Sequence, residues 1–132
     1  DYRPFMSIQK FSDEFFIDNI KITTFKHNHG EIDVQTYRVN NFAYSTDIKK
    51  FYNDDIKKLL NLDLWIVGLL RYDEHPAHAG FETVINFIEY LKPKSVFFTH
   101  LTALLDYDDL MKKIPSHICA KPGFDGLEIE LN

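Results

Sequence analysis

Cysteine is nearly missing from this chain: Cys119 is the only one among 132 residues. A single thiol excludes an internal disulfide and any Cys-Xaa-Xaa-Cys zinc module, and it sets the expectation of a reducing, cytoplasmic compartment. Long apolar runs are also missing. None approaches the roughly 20 residues that cross a bilayer, so no membrane span is expected. Positive charge is scarce, with 15 Lys and Arg against 20 Asp and Glu and a formal net charge of -5. That balance speaks against general nucleic-acid binding, which needs a basic footprint, and leaves room only for a local cationic pocket. Glycine and proline number five each, and there is no low-complexity linker and no internal repeat, so residues 1–132 are read as one domain. The first residues, Asp1-Tyr2-Arg3-Pro4, carry neither an initiator Met nor a signal-peptide pattern, which leads us to expect a processed or partial chain.

What is present is apolar and aromatic bulk: 45% hydrophobic and 15% aromatic residues, including 12 Phe and 7 Tyr. That is enough to fill a core. The first third reads as short strands, at Met6–Phe11, Phe15–Ile17, Lys21–Phe25, Val34–Val39 and Phe42–Ser45, because β-branched and aromatic residues cluster there. Asn40-Asn41 is a hairpin signal, since Asn tolerates positive φ. Then the rhythm changes. Asp54–Leu60 reads as a short helix. Leu64–Leu70 is a continuous apolar run of the kind found in buried strands. Phe81–Leu91 puts Phe81, Val84, Ile85, Ile88 and Leu91 on one helical stripe that Pro93 stops. Ser95–Thr99 reads as a strand, Asp108–Ile114 as a helix, and Leu127–Leu131 as a strand with one wet face. Strands followed by strand–helix–strand–helix–strand predict an α/β fold, and such folds gather ligands where strands end.

The strand ends are where the chemistry-bearing residues fall. His27 and His29 follow Lys21–Phe25, Asp47 follows Phe42–Ser45, His75 and His78 follow Leu64–Leu70, and His100 follows Ser95–Thr99. Neutral imidazole and carboxylate are the usual ligands of Zn, Mn or Fe. Each residue also has a plainer reading. His27 and His29 alternate on one face, which is equally a solvent face. Asp47 suits a cap, His78 suits a pre-helix solvated position, and His100 suits a hydrogen-bonded core edge. His117 belongs to no pattern and is read as surface.

Several stretches share an order and spacing with a known family. They are Lys26-His27-Asn28-His29-Gly30, Thr36-Tyr37-Arg38-Val39, Phe42-Ala43-Tyr44-Ser45-Thr46-Asp47, Leu70-Arg71-Tyr72-Asp73-Glu74-His75-Pro76-Ala77-His78, Phe98-Thr99-His100-Leu101 and Phe124-Asp125-Gly126-Leu127. Together they resemble the carboxyl-terminal half of the metallo-β-lactamase superfamily, in the branch of the phosphoribosyl cyclic phosphodiesterase of phosphonate breakdown. The resemblance implies an αββα sandwich of which this chain forms one half. It implies that His29 and His100 each ligate one of two metal ions, Zn or Mn, that Asp47 bridges them, and that His78 lies beside the substrate phosphate and protonates the leaving group. Two such ions lower the pKa of a shared water. The substrate class implied is a phosphodiester, in a phosphate-containing small molecule or nucleotide.

The family's His-Xaa-His-Xaa-Asp-His string is absent here. Ala103 stands where a second His is common, Gly68 where an acidic residue is common, and Thr36 where Gly precedes Tyr-Arg. The expectation is therefore partial or no metal occupancy, and no activity for the chain alone. The expected partner is the missing amino-terminal half or a second copy of this chain, covering an apolar sheet face. The alternative is a non-catalytic remnant or split-gene product serving as an association module.

Overall fold

A computed structural model describes residue 7 and residues 10–131. One mixed sheet organises it. Its strands are β1 (Glu14–Ile17), β2 (Ile20–His29), β3 (Ile32–Val39), β4 (Phe42–Ser45), β5 (Lys50–Phe51), β6 (Leu64–Gly68), β7 (Ser95–Thr99) and β8 (Ala120–Pro122). The strand order is β1-β2-β3-β4-β6-β7-β8, and β5 pairs with β2. The first four strands run antiparallel through tight turns, and Asp18, Gly30 and Asn40 supply the positive φ those turns need. From β4 onward the pairs β4–β6, β6–β7 and β7–β8 are parallel, with helices α1 (Phe81–Leu91) and α2 (Tyr107–Lys113) in the crossovers.

Helix α1 covers one face of this sheet. Its Phe81, Val84, Ile85, Ile88 and Leu91 join Phe25, Ala43, Trp65, Val67, Val96 and Phe98 in a single core. Trp65 and Phe98 have no exposed surface, and each fully buried large apolar side chain contributes roughly 2–3 kcal/mol. The helix ends at Lys92, whose left-handed backbone (φ 49°) lets its N–H bond Ile88 O at 2.8 Å. In α2 the Asp106 carboxylate caps the Asp109 N–H at 3.0 Å.

The opposite face carries Tyr44, Ile66 and Phe97 side by side, as the register Tyr44–Ile66–Phe97 requires. No helix lies on it among the described residues. The end of the chain partly does. Leu127 and Ile129 border a cavity of about 470 Å³ over Tyr44, Ile66 and Phe97, and Ile129, Glu130 and Leu131 border one of about 780 Å³ beside Phe42 and Leu64.

Several sequence-based expectations change. Leu127–Leu131 is not a strand. The turn at Phe124–Gly126, with Gly126 at φ +86°, takes the chain off the sheet edge after β8, so the alternating residues cross the open face instead of pairing. That face therefore has some cover within the chain, where none was expected. The segment Asp54–Leu60 is a tight 3-10 turn over Asp55–Leu59, not an α-helix. Strand β2 runs on to His29, so His27 and His29 lie in the strand and not after it. Of Met6–Phe11, residues Met6, Ile8 and Gln9 lie outside the described residues, and Lys10 and Phe11 are not in a strand.

Candidate metal centre

Strands β2, β4, β6 and β7 run in the same direction, so their carboxyl ends share one edge of the sheet. His29 is the last residue of β2. Asp47 sits two residues beyond β4. His78 lies in the loop between β6 and α1, and His100 immediately follows β7. The structure brings His29, Asp47 and His78 together, with one potential ligand atom from each lying within 4.8 Å of the others. His78 Nε2 is 3.2 Å from Asp47 Oδ1, and His100 Nε2 is 3.7 Å from Asp47 Oδ2. The two oxygens of one carboxylate thus face different imidazoles. His100 stands at the edge of the cluster and also borders the 470 Å³ cavity, which Asp47 does not reach.

The chain folds this way because two turns are in unusual backbone conformations. Asp47 has φ 55° and His100 has φ 61°. Such a conformation is uncommon outside glycine and persists only where the surroundings enforce it. Gly68 ends β6 against the Asp47 turn. A Cβ there would lie 3.1 Å from Asp47 N and 3.3 Å from Thr46 Cα. An acidic side chain at position 68 thus has no room unless the turn moves.

The loop that carries His78 is held by Glu74. Its carboxylate accepts from Gly80 N at 2.9 Å, from Thr83 Oγ1 at 2.6 Å and from Lys49 Nζ. The lysine, the Thr83 hydroxyl and the Gly80 N–H together lower the Glu74 pKa to about 2. Lys49 is two residues from Asp47, so this one carboxylate ties both arms of the cluster.

Hydrogen-bond accounting tests whether these residues fit a cation. His29 Nδ1 is 2.8 Å from Ala77 O. A carbonyl only accepts, so Nδ1 carries the proton and Nε2 presents a lone pair, the arrangement typical of a metal-ligating histidine. His75 Nδ1 accepts from Ala77 N at 3.2 Å and lies 3.3 Å from His78 Nδ1. Neutral His78 then has no good tautomer. A proton on Nδ1 leaves Nε2 facing a carboxylate oxygen, lone pair to lone pair. A proton on Nε2 leaves Nδ1 facing His75 Nδ1 in the same way. The doubly protonated ring would satisfy both, but burial, the largest influence, lowers the His78 pKa despite the hydrogen bond the ring would donate to Asp47. A cation beside His78 Nε2 and Asp47 Oδ1 resolves the conflict. The 3.2 Å between those atoms also suits it, since ligands about 2.0 Å from a tetrahedral ion sit about 3.3 Å apart.

His27 was the histidine whose surroundings the sequence did not reveal. It is fully buried, not on a solvent face, and makes no contact with the cluster by its own ring. Its signal was the parity of β2: Phe25 points into the core, so His27 and His29 point the same way. His117 is exposed and pairs with Glu89, as a surface histidine does.

Comparisons with known proteins place the chain in a family. The family model for the β-lactamase superfamily domain matches residues 5–101. An octanoyltransferase of Porphyromonas gingivalis is 29% identical over 118 residues, which is 86% of this chain and 23% of that protein. A solved structure of a diphosphatase from the PhnP family is 26% identical with a TM-score of 0.85, covering 91% of this chain and 47% of that one. The metallo-β-lactamase fold protein YhfI of Bacillus subtilis is 17% identical with a TM-score of 0.71, covering 89% and 53%. The chain therefore spans about half the length of these solved structures and under a quarter of the curated relative. The family match takes in His29, Asp47, His78 and His100 and most of the chain: the protein belongs to the β-lactamase superfamily domain family and has the metallo-β-lactamase fold.

Proposed function

We propose that this chain is the carboxyl-terminal part of a metal-dependent hydrolase that cleaves a phosphodiester or a related phosphate ester, and that further metal ligands come from outside it. The observation that carries the reading is the convergence of His29, Asp47 and His78 from three separate segments. The similarity to a PhnP-family diphosphatase supports the phosphate chemistry. The acyl-transfer name of the P. gingivalis relative describes a protein of which this chain covers only 23%.

Asp47 is the centre of the arrangement. With His29 and His78 on one side and His100 on the other, its carboxylate would hold cations together with these imidazoles. When bound, divalent cations such as Zn or Mn would neutralise the phosphate and lower the pKa of a water. His29 is held in the ligating tautomer by the Ala77 carbonyl. In the chain by itself His78 Nε2 would complete the ligand set. With outside ligands in its place, His78 Nε2 would take a proton from solvent and stand beside the substrate, to donate that proton to the departing oxygen as the phosphorus–oxygen bond breaks.

The open sheet face fits the same reading. The partner that covers it is the other half of the fold, or a second copy of this chain.

The test is an assay of a chromogenic phosphodiester with Zn²⁺ or Mn²⁺. One arm holds this chain alone. The other adds a segment that carries His-Xaa-His-Xaa-Asp-His and the preceding half of the fold. Turnover only in the second arm, lost in His100→Ala, is expected. Turnover by the chain alone that is sensitive to His100→Ala would overturn the proposal.

A further inference from the structure

We infer that His27 is a positioning residue for Asp47, acting through the peptide bond between Thr46 and Asp47. This rests on the metal role proposed for Asp47. The His27 ring is fully buried. Its Nε2 lies 2.8 Å from Thr46 O, and since a carbonyl only accepts, Nε2 carries the proton and donates. Its Nδ1 is 3.0 Å from Thr36 Oγ1, Thr36 Oγ1 is 3.0 Å from Ser45 Oγ, and Trp65 Nε1 donates to Ser45 Oγ at 3.0 Å. Four buried polar side chains from β2, β3, β4 and β6 thus form one connected chain of hydrogen bonds inside an otherwise apolar core.

Burying polar groups is unfavourable unless all are satisfied, so an apolar set would pack here at less cost. What the network adds is its one outlet, the carbonyl of Thr46. Fixing that carbonyl fixes the peptide plane preceding Asp47, and hence the rotation that sets φ at 55°. On the other side Gly68 leaves the same peptide just enough room, since a Cβ there would lie 3.1 Å from Asp47 N. The His27 bond thus holds the turn, and its carboxylate is thereby aimed at His78 and His100.

Two substitutions separate positioning from packing. His27→Gln sets an amide N–H where Nε2–H stands and keeps the bond to Thr46 O. His27→Asn reaches only the Nδ1 position and loses it. Both vacate part of the ring's volume, so the urea midpoint of each should fall. Co²⁺ binding, followed by visible absorption, should weaken about 10–100-fold in His27→Asn, as for other groups that orient a ligand, and be largely retained in His27→Gln. Equal weakening in both variants, or none in either, overturns the inference. Two metal-free measurements decide it even if the native chain binds no Co²⁺, a result that would instead count against the metal role of Asp47. Ring ¹⁵N shifts of His27 should show the proton on Nε2, and a proton on Nδ1 overturns the inference. The Asp47 amide resonance should move in His27→Asn and stay near its native position in His27→Gln; the same displacement in both overturns it.

Discussion

Asp47 concentrates the chemistry of the molecule in one side chain, with an oxygen toward His78 and another toward His100. Asparagine tolerates the left-handed backbone at that position and matches the carboxylate in shape, but it has no charge. Asp47→Asn should therefore leave stability within about 0.5 kcal/mol of the native chain while removing detectable Co²⁺ binding. Urea denaturation and a Co²⁺ titration on the same sample check both halves of that statement. Glu74 gives the pH dependence. Its pKa in the folded chain is lowered to about 2 by Lys49, Thr83 and Gly80. A depressed carboxylate stabilises the fold above its ordinary pKa of 4.5, and that contribution is lost as pH falls from there toward about 2. The side chain is 52% exposed, so solvent screening reduces the effect to about 1 kcal/mol. Replacing it, as in Glu74→Gln, should flatten that part of the stability–pH curve and leave the rest of the curve parallel to the native one. An unchanged acid limb would show that the staple contributes nothing.

The elements differ in how much of them the sequence discloses. The limits of α1 and β7 are as expected, because a five-residue apolar stripe ending near Pro93 and a short run of Val and Phe each have a single consistent reading. β5 and β8 have no such signal. β5 is two residues long, and β8 is Ala-Lys-Pro, held at the edge by parallel pairing with β7. Leu127–Leu131 alternates correctly for a strand but has no neighbour to pair with among the described residues, since pairing is a property of the whole sheet. The site follows the same logic. His29, Asp47 and His100 were legible as residues at strand ends and His78 as one in the loop that follows a strand, whereas His27's burial depends on Thr36, Ser45 and Trp65 in three other strands. Gly80 shows how an element and a site loop are joined. A Cβ there would lie 2.7 Å from Tyr72 O, 2.8 Å from Asp73 C and 2.9 Å from Glu74 N, all backbone atoms that cannot rotate away. Gly80→Ala should thus cost about 1–3 kcal/mol in urea denaturation and weaken metal binding by shifting His78. Gly126→Ala, where a Cβ meets nothing within 4 Å but φ +86° strains any side chain, should also lower stability yet leave metal binding unchanged.

At the scale of the molecule, one sheet has a helix-covered face and an open one. Tyr44, Ile66 and Phe97 lie on the open face beside the chain's last described segment, with Ile129 36% and Leu131 55% exposed. Apolar area yields about 25 cal/mol per Å² when buried, so covering this face outweighs a moderate association penalty. The isolated chain should form a dimer or larger species, seen in sedimentation across a dilution series, and Ile66→Lys should shift it toward monomer with the core intact. A native monomer at every concentration would mean that residues 127–131 cover the face sufficiently.

We propose that this chain holds part of a metal centre and not a whole one. Metal stoichiometry and affinity on the purified chain test it most directly. The account predicts weak, at most single-ion binding of Zn²⁺ or Co²⁺ that disappears in His29→Ala and Asp47→Asn. Tight binding of two ions per chain, or binding unaffected by either substitution, would contradict it.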